Sequence, residues 1–209
     1  MKKFLLSFLL LFSLQLLAVE PKMGVNFKST RQQIPTDTPG KIEVVEMFWY
    51  GCIHCFQFEP YLDKWKTELP KDVVFKRVPA VPRLDWIPMA RAYYAMESLG
   101  VLNQLHSKLF DAVHSERTVN PTDEAAAIQW IATHAKIDTK KVENAFKSFS
   151  MEAKLKKANE AFSNAGATGV PTLIINGAYI TSSTMAGGGK EAIDIANFII
   201  DNVRKDLKK

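Results

Sequence analysis

Residues 44–60 read VVEMFWYGCIHCFQFEP, and the fold follows from how this stretch is parsed. Residues 41–50, KIEVVEMFWY, are β-branched and aromatic, the composition of a buried strand. Gly51 ends that strand. A helix is expected from Cys52 to Leu69, broken by Pro60 and stopped by Pro70 and Lys71. Along the strand Val44, Glu46 and Phe48 share one face. An outward face would expose Phe48, so Glu46 is expected to be buried, with a raised carboxyl pKa. Met47, Phe48, Trp49 and Tyr50 are expected in the core.

Between strand and helix stands Cys52-Ile53-His54-Cys55. A cysteine at a helix start lies near backbone N–H groups that have no partner within the helix. Those groups favour a thiolate, and His54 adds a donor or positive charge beside it. Both effects lower the Cys52 pKa below the ~8.5 of a free thiol. A thiolate exists only in the reduced protein, so stabilising it makes the disulfide a stronger oxidant. A disulfide joining two residues this close closes a very short loop and adds little stability. Zinc is the competing reading. It would want four ligands, and beyond these two cysteines the chain has only His54, His106, His114 and His134. No metal is therefore expected. His106 falls on an apolar helical face and reads as a core histidine, while His114 and His134 read as surface residues at helix ends.

Outward from this centre, residues 19–39 read mostly as loop, with a short strand near Val25–Phe27. Residues 72–78, DVVFKRV, read as a second strand. From Pro88 to about Ala165 nearly everything is helical. Leu102, Leu105, His106, Leu109, Phe110 and Val113 repeat with helical spacing and give one apolar face. Asn120 and Pro121 read as a cap and first helical residue, followed by an inward face of Ile128, Ile131, Ala132 and Ala135. Asp138 is the expected cap of the next helix, with Val142, Ala145, Phe146 and Phe149 inward. Strand character returns at 172–176, TLIIN, and Asn176-Gly177 signals a hairpin. A final helix over about 190–206 places Ile193, Ala196, Ile199, Ile200, Val203 and Leu207 on one face. The order of elements predicts an α/β fold with a mixed sheet and an α-helical insertion.

The N-terminus is of another kind. Lys2 and Lys3 precede an apolar run over residues 4–18 that ends at Ala18, the three-part pattern of a secretory signal peptide. An uncleaved anchor competes with it, although the run is shorter than the ~20 residues a spanning helix needs. With residues 1–18 removed, 25 basic residues stand against 22 acidic, a net charge of +3. With no basic cluster besides, nothing points to nucleic acid. Of 209 residues, 47% are hydrophobic and 23% charged. This excludes a disordered or multi-span membrane chain and allows a sizeable core without disulfide staples.

VVEMFWYGCIHCFQFEP together with GVPTLIINGAY resembles the thioredoxin superfamily and, within it, the DsbA family of periplasmic thiol:disulfide interchange proteins. The resemblance covers essentially the whole chain after residue 18. It implies a thioredoxin-like fold with residues 19–80 and 161–209 in one domain and 81–160 as a helical insertion. Pro171 matches the family's cis-proline opposite the cysteines, and Val170 the residue whose backbone pairs with substrate. Glu46 matches the buried acid that moves protons beneath the disulfide. Pro60 matches the kink proline of the active-site helix. One departure is Ile53, where DsbA proteins commonly carry proline.

The resemblance implies a periplasmic oxidase that passes its Cys52–Cys55 disulfide to exported proteins with reduced cysteines. An inner-membrane, quinone-linked reoxidase of the DsbB type would regenerate it, and no cofactor is implied. Two rival readings are a disulfide isomerase or reductase, and a non-catalytic periplasmic chaperone with a vestigial redox site.

Overall fold

The computed structural model describes residues 20–207; the expected signal peptide, 1–18, lies outside them. The central sheet has five strands in the order β1-β5-β4-β2-β3. They are β1 (Lys28–Ser29), β2 (Ile42–Phe48), β3 (Val73–Pro79), β4 (Thr172–Ile175) and β5 (Tyr179–Thr181). Only β2 and β3 run parallel, joined through α1 (Ile53–Thr67); the remaining pairings are antiparallel. The sheet is therefore mixed, as the hairpin signal predicts. Three residues, 176–178, join β4 to β5; Asn176 and Gly177 have positive φ, 50° and 64°, as the central residues of a turn closed by Ala178 N–H on the Ile175 carbonyl. A Cβ at residue 177 would also stand 1.9 Å from the carbonyl oxygen of Ile34, so glycine is required there twice over.

Two layers cover the sheet. Val44, Leu173 and Ile175 pack beneath α1 and α8 (Gly189–Asp206), which contribute Leu62, Trp65, Ile195 and Ile199. Met47, Ile174 and Ile180 face the other way, under Phe162 and Ala165 of α6 (Met151–Ala165). Between β3 and β4 come α2 (Ile87–Ser98), α3 (Leu102–His114), α4 (Glu124–Ala135), α5 (Thr139–Phe146) and α6. Their interior is continuous with the end of β2: Phe48, Tyr50 and Cys55 belong to the same buried cluster as Met96, Leu109, Phe110, Ile131 and Phe146. The insertion is thus packed against the strand end that carries the cysteines. No helix among the described residues is long and apolar enough to cross a membrane.

Several local expectations are corrected. α1 runs unbroken through Pro60. The proline costs one backbone hydrogen bond, while Phe58, Leu62 and Trp65 keep the helix buried on both sides of it. The early strand lies at Lys28–Ser29, just beyond Val25–Phe27, with an isolated bridge from Met23 to Phe27. Asn120 is not a helix cap: its side chain accepts from the Thr122 N–H in a local turn. Asp123 caps α4 by accepting from Ala126 N–H. Asp138 caps α5 as expected, accepting from Lys141 N–H. Phe149 is fully exposed because α5 ends at Phe146, and Leu207 is exposed as the C-cap residue beyond Asp206, the last residue of α8. A short helix, α7 (Ser183–Ala186), precedes the glycines at 187–189.

Candidate active site

The loop from β2 to α1 is a four-residue turn in which Cys52 N–H donates to the Trp49 carbonyl at 2.9 Å. Gly51 is dictated by crowding, since a Cβ there would lie 2.4 Å from the Trp49 indole. That indole stacks on Trp86 with ring centroids 4.5 Å apart. Cys52 then occupies the N-cap position of α1 with extended backbone angles. It is partly exposed and His54 is exposed, whereas Cys55, one turn into the helix, is completely buried. Both cysteines are free thiols.

The two sulfurs behave oppositely. The Cys52 pKa is lowered to about 6. The largest cause is a hydrogen bond from the Cys55 thiol, followed by the backbone N–H groups of Cys55 and His54 and by the His54 charge; partial burial works against them. The helix terminus and His54 were readable in the sequence. The leading contribution from Cys55 was not, because it depends on how the two sulfurs face each other. Burial drives the Cys55 thiol well above its ordinary value, and the Cys52 sulfur adds to the rise. At neutral pH the reduced pair is therefore one thiolate and one thiol.

Opposite the cysteines the Val170–Pro171 bond is cis. Cys52 Sγ lies 3.4 Å from the Val170 carbonyl oxygen. The structure thus brings together Cys52, Cys55, Val170 and Pro171 from two segments more than a hundred residues apart.

Glu46 is fully buried, as the strand pattern predicts. It sits opposite Arg77 of β3 in register, and Arg77 Nε donates to its Oε2 at 3.0 Å. Burial outweighs this contact and raises the Glu46 pKa to about 8. Its other oxygen, Oε1, has no hydrogen-bond partner among the described residues. Arg77 also reaches Glu59 of α1, donating to both carboxylate oxygens at 3.0 Å. For Glu59 burial pushes the pKa up, yet His106 and Arg77 more than offset it and hold the carboxylate ionised.

His106 is in the core as expected, and it is part of this polar chain. Its Nε2 faces Glu59 Oε2 at 3.4 Å, and its Nδ1 lies 2.6 Å from the Tyr50 hydroxyl. Burial lowers the His106 pKa and raises that of Tyr50. A neutral imidazole with its proton turned toward Glu59 accepts from the phenol at Nδ1. His134 is exposed, as expected, but His114 is not a surface residue. It is half-buried, its Nε2 lies 2.8 Å from the Tyr50 carbonyl oxygen, and its ring stacks on Phe56. Sequence reading missed Arg77, Glu59 and His114. The one signal available was the charged pair Lys76-Arg77 interrupting the apolar strand at 72–78.

A thiolate-favouring cysteine at a helix start, a buried partner thiol and a cis-proline facing them on a mixed sheet define a thioredoxin-fold dithiol site. The comparisons agree on which kind. A family model described as "DSBA-like thioredoxin domain" matches residues 70–197. The thiol:disulfide interchange protein DsbA of Pseudomonas aeruginosa is 35% identical over 199 residues, spanning 95% of this chain and 93% of that relative. The protein of the same name from Azotobacter vinelandii is 36% identical over 183 residues, 88% of this chain and 85% of that one. Among solved structures, P. aeruginosa DsbA superposes with a TM-score of 0.81 at 33% identity, covering 90% of this chain and 97% of the other. DsbA from Xylella fastidiosa gives 0.81 at 28% identity, covering 88% and 98%. The chain belongs to the DsbA family of thiol:disulfide oxidoreductases.

Proposed function

We propose that the protein is a periplasmic dithiol oxidase that donates the Cys52–Cys55 disulfide to exported proteins with reduced cysteines. The observation that carries this reading is the opposite treatment of the two sulfurs: Cys52 is lowered to about 6 while burial holds Cys55 as a thiol. Residues 19–80 and 161–209 form the redox domain in this reading, with 81–160 as the helical insertion. An inner-membrane, quinone-linked reoxidase of the DsbB type returns the pair to the disulfide.

The steps follow from the site. A substrate thiolate attacks Cys52 Sγ, the exposed sulfur of the pair. The Cys52–Cys55 bond breaks and its electron pair leaves on Cys55. Glu46, neutral at pH 7, supplies the proton that Cys55 takes up. An extended substrate segment lies along the Val170 edge, where Pro171 presents no N–H. A second substrate thiol loses its proton to solvent and attacks the substrate sulfur of the mixed disulfide. Cys52 departs as a thiolate, and its low pKa makes it a good leaving group. Two electrons have passed to the pair, one proton has gone to Cys55, and Glu46 is reprotonated from solvent. His54 stabilises the departing thiolate.

The test is stoichiometric oxidation of a reduced, unfolded two-cysteine substrate by the disulfide form. Rapid disulfide formation by the disulfide form is the expected result. Cys55→Ser, which holds no disulfide of its own, should be trapped through Cys52 when offered the same substrate already oxidised, the Cys52 thiolate displacing one of the substrate's two sulfurs. Failure to oxidise the substrate, together with efficient reduction of insulin, would place the protein among the reductases.

A further inference from the structure

Tyr50, two residues before Cys52, is held at both ends by one helix. His106, Phe110 and His114 stand one turn apart on α3. His106 bonds the Tyr50 hydroxyl, Phe110 packs on its ring at 4.8 Å between centroids, and His114 Nε2 reaches its carbonyl oxygen at 2.8 Å. That carbonyl belongs to the central peptide of the Trp49–Cys52 turn. In such turns the central peptide has two orientations, and the flipped one needs positive φ at the following residue, which glycine alone takes up freely. Gly51 is obligatory here because of the Trp49 ring, so crowding leaves the one residue at which the flip is cheap. Gly51 does not have positive φ, and the Tyr50 carbonyl points at His114. In the flipped state the carbonyl would turn away, and the Gly51 N–H would face the imidazole instead.

We infer that His114 is a positioning residue for the disulfide exchange: its Nε2–H locks the Tyr50–Gly51 peptide and thereby fixes Cys52 against the start of α1. Through this bond the helical insertion reaches the backbone of the turn that carries the nucleophile. No hydrogen bond joins His114 to either sulfur; it meets the site through the turn carbonyl and through the Phe56 ring, which His114→Phe leaves stacked. The inference rests on Cys52 being the reactive sulfur, as proposed above.

The unmodified reduced protein supplies the first test. Long-range nitrogen–proton NMR spectra of the histidine rings should show a proton on His114 Nε2. A bare Nε2 with the proton on Nδ1 overturns the inference, because a carbonyl has nothing to donate. The second test compares His114→Phe, which keeps a ring against Phe56 and loses the donor, with His114→Gln, which restores an N–H at a similar reach. The ultraviolet thiolate titration of Cys52 should move up by about half a unit or more in His114→Phe, about threefold less thiolate at a given acidic pH. The glutathione equilibrium should shift toward a weaker oxidant, and His114→Gln should return both toward wild type. A His114→Phe protein that melts lower with an unmoved titration shows a merely structural role and overturns the inference. The wild-type titration judges the underlying reading separately: a transition near pH 6 that survives Cys52→Ser contradicts the nucleophile assignment itself.

Discussion

Cys52 Sγ and the Val170 carbonyl oxygen, 118 residues apart in the chain, face each other at 3.4 Å. In the proposed reaction the attacked sulfur therefore rests on the backbone edge that a bound substrate segment would line. The sulfur is placed by a helix start, and the edge it faces is placed by the residues that lead into a hairpin. β2 and β4 are adjacent in the sheet, with Met47 opposite Thr172, and this pairing sets the two ends against each other.

Cys52, not Cys55, should react with iodoacetamide in the reduced protein. Labelling should rise with a midpoint near pH 6, following the lowered Cys52 thiol, and peptide mapping should place the label there. Preferential modification of Cys55 would reverse the assignment of roles.

Replacing Glu46 by glutamine should stabilise the protein at neutral pH. Glu46 has a folded pKa raised from 4.5 to about 8. Its contribution is most favourable below about pH 4.5 and declines as pH rises toward 8, because the folded state must hold a proton that the unfolded chain has released. The glutamine copies the protonated carboxyl without that cost. The gain at pH 7 should approach about 3 kcal/mol as a ceiling, and it should vanish near pH 4. Denaturant unfolding at the two pH values reads it directly; an equal effect at both would show that proton binding by Glu46 is not the cause. The same variant has no proton to give Cys55, so formation of mixed disulfides should slow.

His54→Ala should raise the Cys52 titration midpoint and make the protein a weaker oxidant. The imidazole is one of several contributions, and the Cys55 hydrogen bond and helix N–H groups remain. The shift should therefore be a fraction of the total. An unchanged glutathione equilibrium would remove His54 from the account.

Pro171→Ala introduces an N–H at the edge beside Val170. Mixed disulfides should accumulate during turnover, because an extra donor on that edge holds the substrate segment longer. Gel analysis under acid quench measures their lifetime. Release as fast as in the wild type would show that the missing N–H plays no part.

The legible parts of this protein were the local ones. The strand at 41–50, the cysteines at a helix start, the hairpin at Asn176-Gly177 and the burial of Glu46 all follow from neighbours within a few residues. Phe149 and Leu207 depart from expectation for a related reason: the helical repeat continues in the sequence past the residue where each helix stops. The polar chain from Glu46 through Arg77, Glu59 and His106 to Tyr50 draws on β2, β3, α1 and α3. Spacing gives no sign of it, because β3 and α3 contribute their residues only after the sheet has formed and the insertion has docked. His114 looked like a surface residue at a helix end, and it is packing against Phe56 and the Tyr50 carbonyl that makes it part of the site.

In the proposed function a stabilised Cys52 thiolate is what makes the disulfide form an oxidant. The folded pKa of Cys52 lies below that of an unfolded thiol. This stabilisation of the reduced protein is complete above about pH 9 and is lost as pH falls through about 6. Melting curves of the oxidised and reduced forms, run side by side at pH 8 and again at pH 5, test it most directly. The reduced form should melt higher at pH 8, and its advantage should shrink at pH 5. An oxidised form that melts higher at pH 8 would contradict it.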